Sequence, residues 1–178
     1  MAAKTVYLSL GSNVGDREQM LQAAIDLLNS SQVRITRVSS VYETEPQEQR
    51  NQRWFLNLVV EAETDLFPRQ LLARIAKIEQ QLGRRRVVAK GPRTIDIDIL
   101  FYGNFTVDTP ELTIPHPRFS ERRFVLAPMV ELAPELRDPA SRHTMRDLLA
   151  GTAGQGVRKV EFRITTEVCG PDDAQTLP

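Results

Sequence analysis

One stretch constrains this chain more than any other: Gly91-Pro92-Arg93-Thr94-Ile95-Asp96-Ile97-Asp98-Ile99-Leu100-Phe101. From Ile95 it alternates apolar and acidic, the period-two pattern of a strand with two unlike faces. Ile95, Ile97 and Ile99 point into a core, and Asp96 and Asp98 point the other way. Same-face neighbours on a strand lie roughly 6.6 Å apart, so the two carboxylates converge on one small volume. Ionised acids that close repel each other unless a cation lies between them. An oxygen-only pair suits magnesium, which takes one or two carboxylates and completes its shell with phosphates and water. Just upstream, Arg84-Arg85-Arg86, Lys90 and Arg93 make a loop of positive charge. Metal-binding acids beside a basic loop point to a polyphosphate nucleotide.

The 178 residues suffice for one domain with a full core, and two would be cramped. Residues 1–165 are expected to form that domain and 166–178 a flexible polar tail. Basic and acidic residues number 23 each, which leaves no bulk field to attract nucleic acid or a membrane surface. The lone Cys169 forms no intrachain disulfide, and the start of the chain lacks the apolar run of a signal peptide. A soluble cytoplasmic protein, monomeric by default, is the expectation.

Val6 to Leu10 alternates as a strand and runs into a turn at Gly11-Ser12-Asn13. Asp16, with Gln19 three residues on, opens a helix whose apolar face runs from Met20 to Leu28. Val33 to Tyr42 is a second strand, and Glu45 to Arg53 a polar loop. Trp54 to about Thr64 is a third strand. Pro68 begins a second helix carrying Leu71, Leu72, Ile75, Ile78 and Leu82, closed by Gly83. The Asp-bearing strand follows. Strand, helix, strand, strand, helix, strand is the α+β, ferredoxin-like βαββαβ order: an antiparallel sheet with both helices on one face. C-terminal additions include a loop with Pro115-His116-Pro117, an apolar segment from Phe124 to Leu132, a short helix near Met145 to Leu149, and an edge strand within Val157 to Ile164.

These residues resemble the 6-hydroxymethyl-7,8-dihydropterin pyrophosphokinase family of the folate pathway. The resemblance rests on Leu10-Gly11-Ser12-Asn13, Tyr42-Glu43-Thr44, Phe55-Leu56-Asn57, Ile78-Glu79, Leu82-Gly83-Arg84, the run from Gly91 to Asp98, and Ile114-Pro115-His116-Pro117-Arg118 with Arg122 and Phe124-Val125-Leu126. It implies transfer of pyrophosphate from ATP, the co-substrate, to the hydroxymethyl group of 6-hydroxymethyl-7,8-dihydropterin. It also implies two magnesium ions on Asp96 and Asp98, with Arg84 and Arg93 assisting catalysis. By the same match Arg84, Arg86, Arg93, His116, Arg118, Arg122 and Glu79 would hold ATP. Gly11, Asn13, Thr44, Phe55, Asn57 and Phe124 would hold the pterin. Two loops depart from the family pattern. The one between Arg84 and Arg93 is a residue short and carries Lys90 where a Trp is usual, and Glu45 to Arg53 is charged and lacks glycine.

Two other readings stay open on the residues alone. A nucleotidyltransferase also pairs Gly-Ser with Asp-x-Asp, though there the two lie close together, and it would release pyrophosphate rather than AMP. A ferredoxin-like RNA-binding module would present aromatic rings where this chain presents Asp96 and Asp98. No Gly-x-x-x-x-Gly-Lys-Ser/Thr stretch exists, which excludes a P-loop kinase.

Overall fold

Val6, Leu8 and Leu10 lie on one face of the first strand and are fully buried. That strand, β1 (Lys4–Ser12), is an inner strand of the sheet in this computed structural model, which describes residues 2–46, 51–83 and 94–166. α1 (Arg17–Leu28) follows, its first turn capped by Asp16, whose Oδ1 accepts the Gln19 amide at 3.1 Å. Next come β2 (Val33–Val38), β3 (Tyr42–Thr44) and β4 (Phe55–Thr64). α2 (Pro68–Gln81) begins on its proline, and Gly83, with φ at +79°, takes the left-handed turn just past its end. β5 (Asp96–Tyr102) completes the βαββαβ unit. β1 pairs antiparallel with β4 on one side and β5 on the other, and β2 and β3 both lie along β4. This is the expected ferredoxin-like architecture.

The second strand is not continuous as its β-branched run suggested. β2 covers Val60 to Thr64 of β4, and β3 covers Phe55 to Asn57. Between them the Ser39 hydroxyl accepts the Val59 amide at 2.9 Å, while the Ser39 amide donates to the Val59 carbonyl. A side-chain oxygen takes the place of a ladder carbonyl, so the chain bends there without leaving Val59 unsatisfied.

α1 and α2 pack on the face that carries Val6, Leu8, Leu10, Leu58, Ile97 and Ile99. The C-terminal additions cover part of the opposite face. β6 (Val107–Asp108) and β7 (Thr113–Ile114) form a small ribbon beside β5. A 3₁₀ turn (Phe119–Glu121), α3 (Arg123–Leu132) and α4 (Met145–Ala150) then bring Phe119, Val125, Leu126, Met129 and Met145 against Tyr7, Val59, Leu100 and Phe101. The apolar run from Phe124 is therefore a helix. β8 (Val157–Lys159) adds to the outer side of β3. Among the described residues no helix is long and apolar enough to cross a membrane. The expected tail from 167 onward lies outside the described residues.

Candidate active site

On the face away from α1 and α2, strand register fixes what meets what. Gly11 of β1 lies between Asp96 of β5 and Asn57 of β4. One step along, Ser9 lies between Asp98 and Val59. Residues directly opposite in an antiparallel pair share a face, so Asp96, Asp98, Ser9 and Asn57 all look the same way. α3 covers the sheet at Val59 and stops short of the Gly11 row. The gap is a cavity of about 300 Å³. Gly11, Thr44, Phe55, Asn57, Asp96, Asp98, Arg118, Arg122 and Phe124 line it, together with Ser9, Glu45, Pro46, Gln52 and Glu121.

The floor is flat because position 11 has no side chain. A Cβ there would sit 2.6 Å from Asn57 Oδ1, closer than any non-bonded contact allows. Asn57 is nearly buried, and its Nδ2 donates to the Thr44 hydroxyl at 2.6 Å. An amide in an apolar strand needs such a partner. Phe55 enters from the start of β4 and Phe124 from the first turn of α3, so aromatic rings from two separate elements line the same space.

The basic rim hangs from a bulge. The register of β5 against β1 passes from Phe101 opposite Tyr7 to Ile99 opposite Leu8, leaving Leu100 as the extra residue. Its carbonyl accepts the His116 amide at 3.2 Å. The His116 ring Nδ1 accepts the Arg118 amide at 3.3 Å, which assigns the neutral ring's proton to Nε2. Burial holds His116 below the usual imidazole value; cationic Arg122 and Arg118 push the same way, and Asp96 opposes them. Near neutral pH the ring is therefore an uncharged donor at Nε2. The Arg122 guanidinium lies 5.6 Å from the centre of the Phe124 ring.

Three residues that the resemblance assigns to the substrates are not among those lining this cavity. The Asn13 side chain is turned onto the neighbouring loop, donating to Gln52 Oε1 at 2.9 Å and to the Arg53 carbonyl at 3.2 Å; it braces the wall without lining the cavity. Glu79 is buried on α2, in the helical layer behind the sheet. His116, whose ring holds the Arg118 amide, does not line the cavity either. Arg84, Arg86 and Arg93, with Lys90, lie outside the described residues.

Among the described residues no group of three or more His, Cys, Asp or Glu could hold a metal ion. The metal-competent set is the Asp96–Asp98 pair, all oxygen and open to a cavity. That chemistry fits a hard cation whose remaining ligands come from water and phosphate, and does not fit zinc or iron.

A family model described as 7,8-dihydro-6-hydroxymethylpterin-pyrophosphokinase (HPPK) matches residues 7–134. The chain belongs to that family. It is thereby an enzyme of the pyrophosphokinase class. A Bacillus subtilis relative named 2-amino-4-hydroxy-6-hydroxymethyldihydropteridine pyrophosphokinase is 44% identical over 153 residues, covering 85% of this chain and 87% of its own. The folate synthesis bifunctional protein, mitochondrial, of Pisum sativum is 48% identical over 127 residues, 71% of this chain and 25% of that longer protein. A solved HPPK-DHPS structure in complex with substrates superposes with a TM-score of 0.70 at 17% identity, over 84% of this chain and 43% of its own. At that identity the likeness is one of fold. The matched span takes in every lining residue of the cavity and stops short of α4 and β8.

Ser9, Glu45, Pro46, Gln52 and Glu121 went unnoticed in the sequence. Ser9 alone carried a signal, since it shares strand parity with Gly11. The others reach the cavity through loops whose course the sequence pattern does not set.

Proposed function

We propose that the chain transfers the pyrophosphoryl group of ATP to the hydroxymethyl oxygen of 6-hydroxymethyl-7,8-dihydropterin, releasing AMP, in folate biosynthesis. The hydroxyl oxygen forms a bond to the β phosphorus as the α–β bridging bond breaks. AMP leaves with the bridging oxygen, and the hydroxyl proton passes to water. The observation that carries this reading is the convergence of Asp96 and Asp98 with two aromatic rings and two arginines on one cavity.

Phe55 and Phe124 bind the flat pterin by stacking, and the Asn57–Thr44 pair meets its polar edge. Arg118 and Arg122 hold phosphate oxygens in paired hydrogen bonds, a geometry lysine does not reproduce. His116 contributes a neutral donor. Arg84, Arg86 and Arg93 complete the phosphate grip in this reading. Asp96 and Asp98 would hold a pair of magnesium ions, which when bound neutralise phosphate charge and lower the pKa of the hydroxyl. Positioning and charge supply most of the acceleration, so no dedicated general base is required. A monomer working in the cytoplasm completes the reading.

The test is direct. The chain is incubated with ATP, magnesium and the reduced hydroxymethylpterin, and products are separated. AMP and a pterin diphosphate are expected. Pyrophosphate with a nucleotidylated acceptor would mean a nucleotidyltransferase and would overturn the assignment.

A further inference from the structure

Gln155 lies beyond the span matched by the family model, yet its side chain reaches back to the rim of the cavity. Its Oε1 accepts the Arg123 amide at 2.9 Å, and its Nε2 donates to the Glu121 carbonyl at 2.6 Å. One side-chain amide thus spans the backbone on both sides of Arg122. The place is demanding. Arg122 joins the 3₁₀ turn to α3 in an extended conformation, with φ at −112° and ψ at 104°. It is also the N-cap position of α3, and it makes no side-chain cap. The Arg123 amide is one of the orphan donors of a helix start, and Gln155 satisfies it from a different part of the chain.

The same short segment grips the opposite side of the mouth. The Gly156 carbonyl accepts the Glu45 amide at 3.4 Å, and Arg158 pairs with Glu43 at 2.6 Å. Glu45, Glu121 and Arg122 all line the cavity.

We infer that Gln155 is a positioning residue: its amide holds the backbone of Arg122 extended, and so aims that guanidinium at the phosphate of the nucleotide. The role rests on the pyrophosphokinase reading above. Without the clip, residues 119–126 are free to wind into one continuous helix, which would turn the Arg122 side chain away. Gln155 touches neither substrate and acts only through Arg122.

The test uses the full chain in five forms: wild type, Gln155→Ala, Gln155→Met, Arg122→Ala, and the Gln155→Ala/Arg122→Ala double variant. Two quantities are read: amide hydrogen exchange at Arg123, and affinity for a non-hydrolysable ATP analogue with magnesium. Both Gln155 variants should speed Arg123 exchange and weaken the analogue about fivefold, the scale of two net hydrogen bonds lost at a solvated rim. The melting temperature should fall by only a few degrees, leaving the fold intact. In the Arg122→Ala background, Gln155→Ala should cost nothing further, because the residue through which it acts is gone. Several results would overturn the inference: unchanged Arg123 exchange, wild-type affinity in Gln155→Met, or a Gln155 effect that persists without Arg122. A wild type that binds no ATP analogue would instead sink the pyrophosphokinase reading, while Arg123 exchange would still report whether the clip exists.

Discussion

Between Tyr7 and Gly11 a single strand face passes from a sealed environment to an open one. At the Tyr7 end, Phe101 meets the tyrosine edge-on at 6.3 Å, and α3 closes over both. Polar groups there are spent on one another. The Tyr7 hydroxyl donates to Glu61 at 2.8 Å, and Arg37 pairs with the same carboxylate at 2.7 Å. Burial and the Glu61 carboxylate push the Tyr7 phenol up to about 12, so it stays a donor across ordinary pH. At the Gly11 end the neighbours are Asp96, Asp98 and Asn57, and they converge on a void. The backbone is the same in both halves. What separates them is where α3 begins and which side chains face outward. A sheet face becomes a site where its cover stops and its polar groups line a common space.

The difference can be broken from the open side first. Asp96→Asn or Asp98→Asn should cut turnover at least about a hundredfold, roughly 3 kcal/mol or more of transition-state stabilisation. Stability should change little, because both side chains face the cavity and are not packed in the core. AMP release and thermal melts measure the two effects. A variant keeping more than about a tenth of wild-type turnover would remove these acids from the chemistry.

Leu126→Ala is the mirror experiment. Leu126 is fully buried under the sealed half, and its truncation should cost about 3 kcal/mol in urea unfolding. Turnover measured well below the unfolding midpoint should stay near wild type. If turnover fell with stability, the two halves would not be separable.

Gly11→Ala strikes the boundary and should disturb both properties. The new methyl would meet Asn57 Oδ1 at 2.6 Å, so the amide must shift and its bond to Thr44 is strained. A loss of about 1–2 kcal/mol in stability is expected, with a rise of about tenfold in the KM for pterin and a smaller change for ATP.

The smallest effect belongs to Glu61→Gln. Hydrogen bonding from Arg37, then from Tyr7 and Thr36, holds the Glu61 carboxyl below its ordinary value against the cost of burial. A carboxyl depressed in the folded state stabilises fully above its unfolded pKa and loses that contribution as pH falls through the folded one. The gap in melting temperature between wild type and variant should therefore be largest above the ordinary carboxyl range and shrink as pH falls below it. A gap independent of pH would mean that shape, not charge, makes Glu61 useful.

Much of the open half was legible because its residues break local rules. Acids alternating with isoleucines on one strand, and an asparagine inside Phe55 to Val60, are costly unless something uses them. The sealed half gave no comparable sign. Phe124 to Leu132 is apolar but for Glu131, so periodicity could not separate a helix from a strand. The break at Ser39 was hidden because its hydroxyl matters only through the Val59 amide, which the sequence places twenty residues away. The bonds from Asn13 to Gln52 and to the Arg53 carbonyl were hidden for a related reason, since the sequence places those partners some forty residues away.

Leu100 matters as a length of chain as well as a side chain. Deleting it would restore plain alternation to β5 with every neighbour still on its own face: Ile97, Ile99 and Tyr102 inward, Asp96, Asp98 and Phe101 outward. The acids would not notice. Gone would be the surplus carbonyl from which His116, and through it the Arg118 backbone, is suspended. A chain one residue shorter there would keep its anvil and lose its clamp, so spacing along this edge strand is as much a part of the site as the groups that line it.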